Sequence, residues 1–285
     1  MRFSGTYINI VVLLTVLSAV TPTPQATADT IIPISQQRSV NSLVNAPLCD
    51  GEFLFDQAQA KAFEPFDDVA SSIHQCDEAS ALVAAEQQSF INPNSLEAFG
   101  RALSQVSANG EKNGLATHAL GSSSFNVTFE VNSASQFVLD GIISAGNDNP
   151  DVHMYLGTQV RLTGPGDETI FDHSLAVNTG DDADSQLLDE VGQLEPGIYT
   201  LAAFASSAVD APVPPNGDGA AIFNFTFEVL IPGDLDGNGS VGASDLLILL
   251  ASWGPCDDCD DCPADIDGNC NVGASDLLIL LANWG

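Results

Sequence analysis

The side-chain oxygens with the most regular spacing lie near the end of the chain, where Asp234, Asp236, Asn238 and Asp245 occupy positions 1, 3, 5 and 12 of a twelve-residue stretch. Asp265, Asp267, Asn269 and Asp276 repeat that spacing 31 residues later, within segments 234–254 and 265–285 that are identical at 17 of 21 positions. Oxygens at alternate positions of one loop, joined by the backbone carbonyl of position 7 (Ser240, Asn271), can wrap a hard cation that takes about six to eight oxygen ligands. Calcium is such a cation, and the pattern predicts two ions, one per loop. Without an ion, the three carboxylates of each loop repel one another at short range. An Asp/Gly/Asn turn in an acidic chain would account for one copy. It does not account for two, each followed by an apolar run of helical character.

The spacing is that of an EF-hand calcium loop, and the tandem pair resembles a type I dockerin, the duplicated calcium-binding module that ties secreted bacterial proteins to cohesin domains. That family has Asp at position 12, an apolar residue at position 8 and only the helix after each loop. Here Asp245 and Asp276, Val241 and Val272, and the LLILLA runs from Leu246 and Leu277 conform. The resemblance covers about a fifth of the chain. It implies a small α module at residues 231–285 with two calcium loop–helix repeats and a cohesin-like protein domain as partner. Ala243-Ser244 and Ala274-Ser275 fall at the positions dockerins use for recognition. Three departures stand out: Cys270 replaces the position 6 glycine of the second loop, position 9 is Gly242 or Gly273, which leaves water to fill that ligand place, and the repeat helices lack the Lys or Arg that type I dockerins often present to cohesin.

What must carry this module begins with a secretory pattern at residues 1–28, with Arg2, an apolar core from Ile8 to Val20 and Ala26-Thr27-Ala28 as cleavage site. The expected localisation is therefore secreted, extracellular or at the cell surface. No later run reaches the ~20 apolar residues of a membrane span. The net charge is −32, with 38 acidic against 6 basic residues and none basic after Arg161. Nucleic acid and anionic membrane surfaces are thereby poor partners. Six cysteines in an exported chain point to disulfides. Cys49 and Cys76 form one group, Cys256, Cys259, Cys262 and Cys270 another, and the simplest partition is one N-terminal and two C-terminal bridges. An iron–sulfur or zinc site at the second group is the weaker alternative, and Cys270 ties the second loop to the segment between the repeats.

Residues 29–48 show no sustained period and the signal from Cys49 to Leu120 is mixed, so 29–76 are set apart as an N-terminal segment, with 77–230 read as a β-sandwich. Leu96, Phe99, Leu103 and Val106 have helical spacing, yet Gly100 and the Ala/Ser alternation favour strands there. Phe125, Val127, Phe129 and Val131 alternate with polar residues, as do Phe223, Phe225, Phe227 and Val229. Further short strands are expected at 136–143, 152–156, 158–162, 169–177 and 198–205. The fold class is mainly β, an antiparallel sandwich followed by the small α module.

No common hydrolase or nucleotide motif is present. The chain reads as a non-catalytic binding or structural protein, with a dockerin-bearing glycoside hydrolase of polysaccharide catabolism as the alternative. The latter needs two carboxylates facing across a cleft, for which Asp140, Asp172 and Glu195 are arbitrary candidates. His153 and His173 receive no role. A carbohydrate ligand is left open without support, because Trp253 and Trp284 end the repeat helices, only Tyr155 and Tyr199 lie beyond the leader, and the phenylalanines read mostly as core.

Overall fold

A computed structural model describes residues 31–45, 53–76, 79–108, 116–132, 134–149, 153–212, 217–238, 240–259 and 262–285. The leader at 1–28 and Cys49 lie outside them.

Among the described residues, twelve strands form two six-stranded sheets. They are β1 (Ile32–Asn45), β2 (Phe53–Gln59), β3 (Phe66–Gln75), β4 (Ala79–Ile91), β5 (Ser95–Ala108) and β6 (Ala116–Val131), then β7 (Ser135–Asn147), β8 (Met154–Thr163), β9 (Thr169–Asn178), β10 (Asp184–Leu194), β11 (Gly197–Pro212) and β12 (Gly217–Leu230). The first sheet has the order β2-β1-β6-β11-β8-β9 and the second β10-β7-β12-β5-β4-β3. Every neighbouring pair is antiparallel. The expected antiparallel sandwich is therefore present. Alternation decides which side faces in: Phe125, Val127 and Phe129 on β6 and Phe223, Phe225 and Phe227 on β12 are buried between the sheets. Their rings meet edge-on at Phe125–Phe225 and stack at Phe137–Phe227.

The N-terminal boundary is corrected. Residues 32–75 are not a separate segment, because β1 pairs with β2 and β6 in the first sheet while β3 pairs with β4 in the second. Their period was obscured by buried polar residues, chief among them Arg38. That guanidinium is fully buried and donates to the carbonyls of Ala62, Glu64 and Ser89, to Ser89 Oγ and to Gln36 Oε1. Carbonyl acceptors replace the water lost on burial, and the β2–β3 connection is thereby pinned to the sandwich.

The strands are also longer than expected, up to 16 residues in β6 and β11. Within the described residues, the segments expected at 152–156 and 158–162 join in one strand, β8 (Met154–Thr163), because Gly157 continues the ladder opposite Ser206. The helical spacing on β5 is coincidental. Its inner positions include the small residues Ala98, Gly100, Ala102 and Ser104, and the Phe223 ring of the neighbouring strand β12 fills the space over Gly100. Gly100 is obligatory on that ground: a Cβ there would lie 2.1 Å from the Phe223 ring. Strand β10 was not anticipated, since its outward residues Leu187 and Val191 are apolar and exposed, which hides the alternation.

After β12 come two helices of nine residues, α1 (Ala243–Ala251) and α2 (Ala274–Ala282). Val241, Leu249, Ala264, Val272 and Leu280 make a second small core. The link at Ile231-Pro232-Gly233 is part of it: Ile231 packs against this cluster, and Gly233, at φ 99°, approaches Leu280 so closely that a Cβ would lie 3.0 Å from its Cα. No described helix is long and apolar enough to cross a membrane.

Candidate metal centre

Each repeat brings its three carboxylates together. Oxygens of Asp234, Asp236 and Asp245 lie within 4.8 Å of one another, and so do those of Asp265, Asp267 and Asp276. Both clusters grade from the exposed residue at position 3 to the buried one at position 12. Asp245 and Asp276 are fully buried. Their burial is supported by backbone donors. Asp245 Oδ1 accepts from Leu235 N and Asp236 N at 2.8 and 3.1 Å, and its Oδ2 from Gly242 N at 2.7 Å. Asp276 does the same with Asp267 N and Gly273 N at 3.1 and 2.7 Å. Gly242 and Gly273 are the N-cap residues, so one carboxylate both closes the loop and caps the helix that follows it.

The exposed members are ordered from within the loop. Asn238 N donates to Asp234 Oδ1 and Asp236 Oδ1, both at 3.1 Å, and Asn269 N repeats this towards Asp265 and Asp267 at 3.1 and 3.2 Å. Asn238 Oδ1 itself accepts from Ser240 N and Oγ. Hydrogen bonding from Ser275, with a smaller contribution from Asn269, holds the Asp267 carboxyl below its ordinary value. The donor set is carboxylate, amide and carbonyl oxygen with no nitrogen or sulfur, which suits a hard cation.

The cysteines lie beside the second loop. Cys256 is bonded to Cys262 and Cys259 to Cys270. Cys76 is disulfide-bonded as well. Two C-terminal bridges therefore replace the alternative of a cysteine-held metal. Cys270 takes the left-handed conformation that its loop position requires, with φ 67°, and donates its N–H to Asp265 Oδ2 at 2.6 Å.

The two units are cross-docked. Gly254-Pro255, just past α1, pairs with Asn271-Val272 of the second loop. Trp284, just past α2, bridges Val241 of the first loop, whose carbonyl accepts from Gly285 N.

The carboxylates considered for glycoside hydrolysis are not assembled. Asp140 lies on the outer face of the second sheet opposite Asp189, and Asp172 lies on the first sheet, accepting from Gln159. Glu195 sits in the β10–β11 turn, where its carbonyl accepts from Tyr199 Oη. His173 bonds Gln186 and faces Glu190 at 3.0 Å, joining β9 to β10. The pair that sequence reasoning missed is Asp148 and Asp218, 70 residues apart. Burial first, then a hydrogen bond and repulsion from Asp148, push the Asp218 carboxyl up to about 6. Carboxyls in direct contact leave no room for a glycosidic oxygen between them, which needs a separation of about 5 Å or more.

No family model and no curated protein matches the chain. Solved structures similar to it include that of the infectious bursal disease virus Gx strain, at 10% identity over 72% of this chain and 73% of that one, with a TM-score of 0.23. TmCBM61 in complex with β-1,4-galactotriose is 14% identical over 42% of this chain and 72% of its own, TM-score 0.18. A family 35 carbohydrate binding module from Clostridium thermocellum is 12% identical over 55% and 96%, TM-score 0.16. Likeness at these scores carries no argument about function.

Proposed function

We propose that residues 231–285 form a dockerin-like, calcium-binding attachment module of a secreted, non-catalytic protein, which joins the sandwich to a cohesin-like domain. The observation that carries this reading is the convergence of three carboxylates in each loop, an arrangement that calcium would stabilise by neutralising them. Asp234, Asp236, Asn238, the Ser240 carbonyl and Asp245 would hold one ion. Asp265, Asp267, Asn269, the Asn271 carbonyl and Asp276 would hold the other.

The helices supply the attachment surface in duplicate. Leu247 and Leu278 are each 68% exposed, and Leu250, Leu281, Trp253 and Trp284 are exposed beside them. Such matched apolar faces suit a protein partner, and Ser244 and Ser275 lie exposed at the first turn of each.

The test is calcium titration of the full chain by calorimetry, with capture by an immobilised cohesin domain before and after chelation. Two-site binding, reduced to one site by Asp236→Ala or Asp267→Ala, together with chelator-sensitive capture is the expected result. Calcium binding without capture would leave an ion-stabilised cap in place of an attachment module.

A further inference from the structure

The outer face of the first sheet is set apart by what it lacks. Three successive rows cross all six strands, from Phe55 to Asn178, from Gln57 to Ala176 and from Gln59 to Ser174, and none of their residues is charged. In a chain of net charge −32 this is a specific exclusion, because the matching face of the second sheet carries the Glu86–Arg101 ion pair and the opposed Asp140 and Asp189. Charged groups resume at both margins, where Asp210 pairs with His118 beyond the first row and Asp172 accompanies Arg161 beyond the third. Asp56, between Phe55 and Gln57 on the edge strand, points to the opposite side by alternation and accepts there from Ser71 N.

What fills these rows is aromatic rings among amides and hydroxyls. Phe55 is 57% exposed, Tyr155 56% and Phe204 40%. Phe55 and Phe204 are exceptions to the expectation that the phenylalanines are mostly core, which Phe125, Phe129, Phe223 and Phe227 meet. Phe55 and Tyr155 share a row, four strand spacings or about 19 Å apart. Gly157 sits between the other two rings, and a Cβ on it would lie 3.6 Å from Phe204 Cε2. The Phe204 ring thus lies beside the bare backbone of Gly157. Asn41 reaches Ser122 Oγ, and Ser206 Oγ reaches the Gly157 carbonyl, which keeps the polar groups between the rings oriented.

We infer that this face binds an uncharged polysaccharide. The charge pattern selects the occupant: a polyanion is repelled by the chain as a whole, and a cationic partner is drawn to the acidic faces. Rings flanked by neutral donors and acceptors match a polymer that alternates C–H and hydroxyl surface, and the distance between Phe55 and Tyr155 calls for an extended chain. The inference is independent of calcium.

Affinity electrophoresis of the full chain through gels containing hydroxyethyl cellulose, xyloglucan or β-1,4-galactan, with polygalacturonate as the anionic control, tests it. At least one neutral polymer retards the protein, chelator leaves the retardation unchanged, and Tyr155→Ala with Phe204→Ala weakens it about tenfold. Both rings are exposed, and an unchanged melting temperature confirms that the variant is folded. Failure of every neutral polymer, retardation by polygalacturonate alone, or equal retardation of the double variant overturns the inference. So does a dimer in sedimentation that these two substitutions dissolve, because the face is then a contact between copies of the chain.

Discussion

Cys259 is bonded to Cys270, a residue held at φ 67° where an EF-hand-type loop calls for glycine. The left-handed conformation costs a residue with a Cβ about 1–2 kcal/mol, and closing a loop of this size offsets that with roughly 2–4 kcal/mol. Cys259→Ser should therefore destabilise the second loop, while Cys259→Ser with Cys270→Gly recovers about 1 kcal/mol of the loss. Hydrogen exchange at amides 265–273 reads the effect, and amides 234–242 should change less. An equal loss in both loops would contradict the local role of the bridge.

Asp245 and Asp236 should separate folding from ion binding. Asp245 is buried under three backbone donors, so Asp245→Ala leaves those N–H groups unpaired and costs about 2–4 kcal/mol even in chelator. Asp236 is exposed, and Asp236→Ala should change chelated stability by less than about 1 kcal/mol while weakening calcium binding. Chemical unfolding in chelator, followed by titration of the folded variants, distinguishes the two.

The Asp148–Asp218 pair gives the sandwich a pH dependence. Asp218 binds its proton more tightly folded, at about 6, than at the ordinary 3.8. Its contribution to stability is therefore fully present below about pH 3.8 and is lost as pH rises through about 6. Asp148→Asn removes the neighbouring charge and should flatten this segment of the stability curve. Unfolding midpoints measured from pH 4 to pH 7 check the sign: a decline for the parent chain, reduced in the variant.

Arg38 should be more sensitive than any exposed cation. Arg38→Met removes the donors that satisfy the carbonyls of Ala62, Glu64 and Ser89, with a cost of about 2–4 kcal/mol. Limited proteolysis should then cut first near residues 60–65. Resistance there equal to that of the parent would show that the connection is held by other contacts.

The convergence of the acidic loops and the sandwich were legible because each rests on a strict period: 2 in the Phe-rich strands β6 and β12, and the repeated 1, 3, 5, 12 spacing in the loops. The convergence of Asp234, Asp236 and Asp245 follows from spacing within one loop, and the structure brings them together. Where periods are broken by small or polar inward residues, sequence reading faltered. Arg38 disguised β1, Gly157 divided β8, and exposed Leu187 and Val191 concealed β10. The Asp148–Asp218 contact and the charge-free rows depend on strands distant in sequence, so only the register reveals them.

The crossed bridges between Val241 and Trp284, and between Gly254 and Val272, have a consequence for inheritance as well as for folding. Each copy completes the other's loop, so the duplication is no longer redundant: deleting either repeat removes a clasp from the one that stays. Val241 and Val272, both buried at the interlock, are the same residue in the two copies.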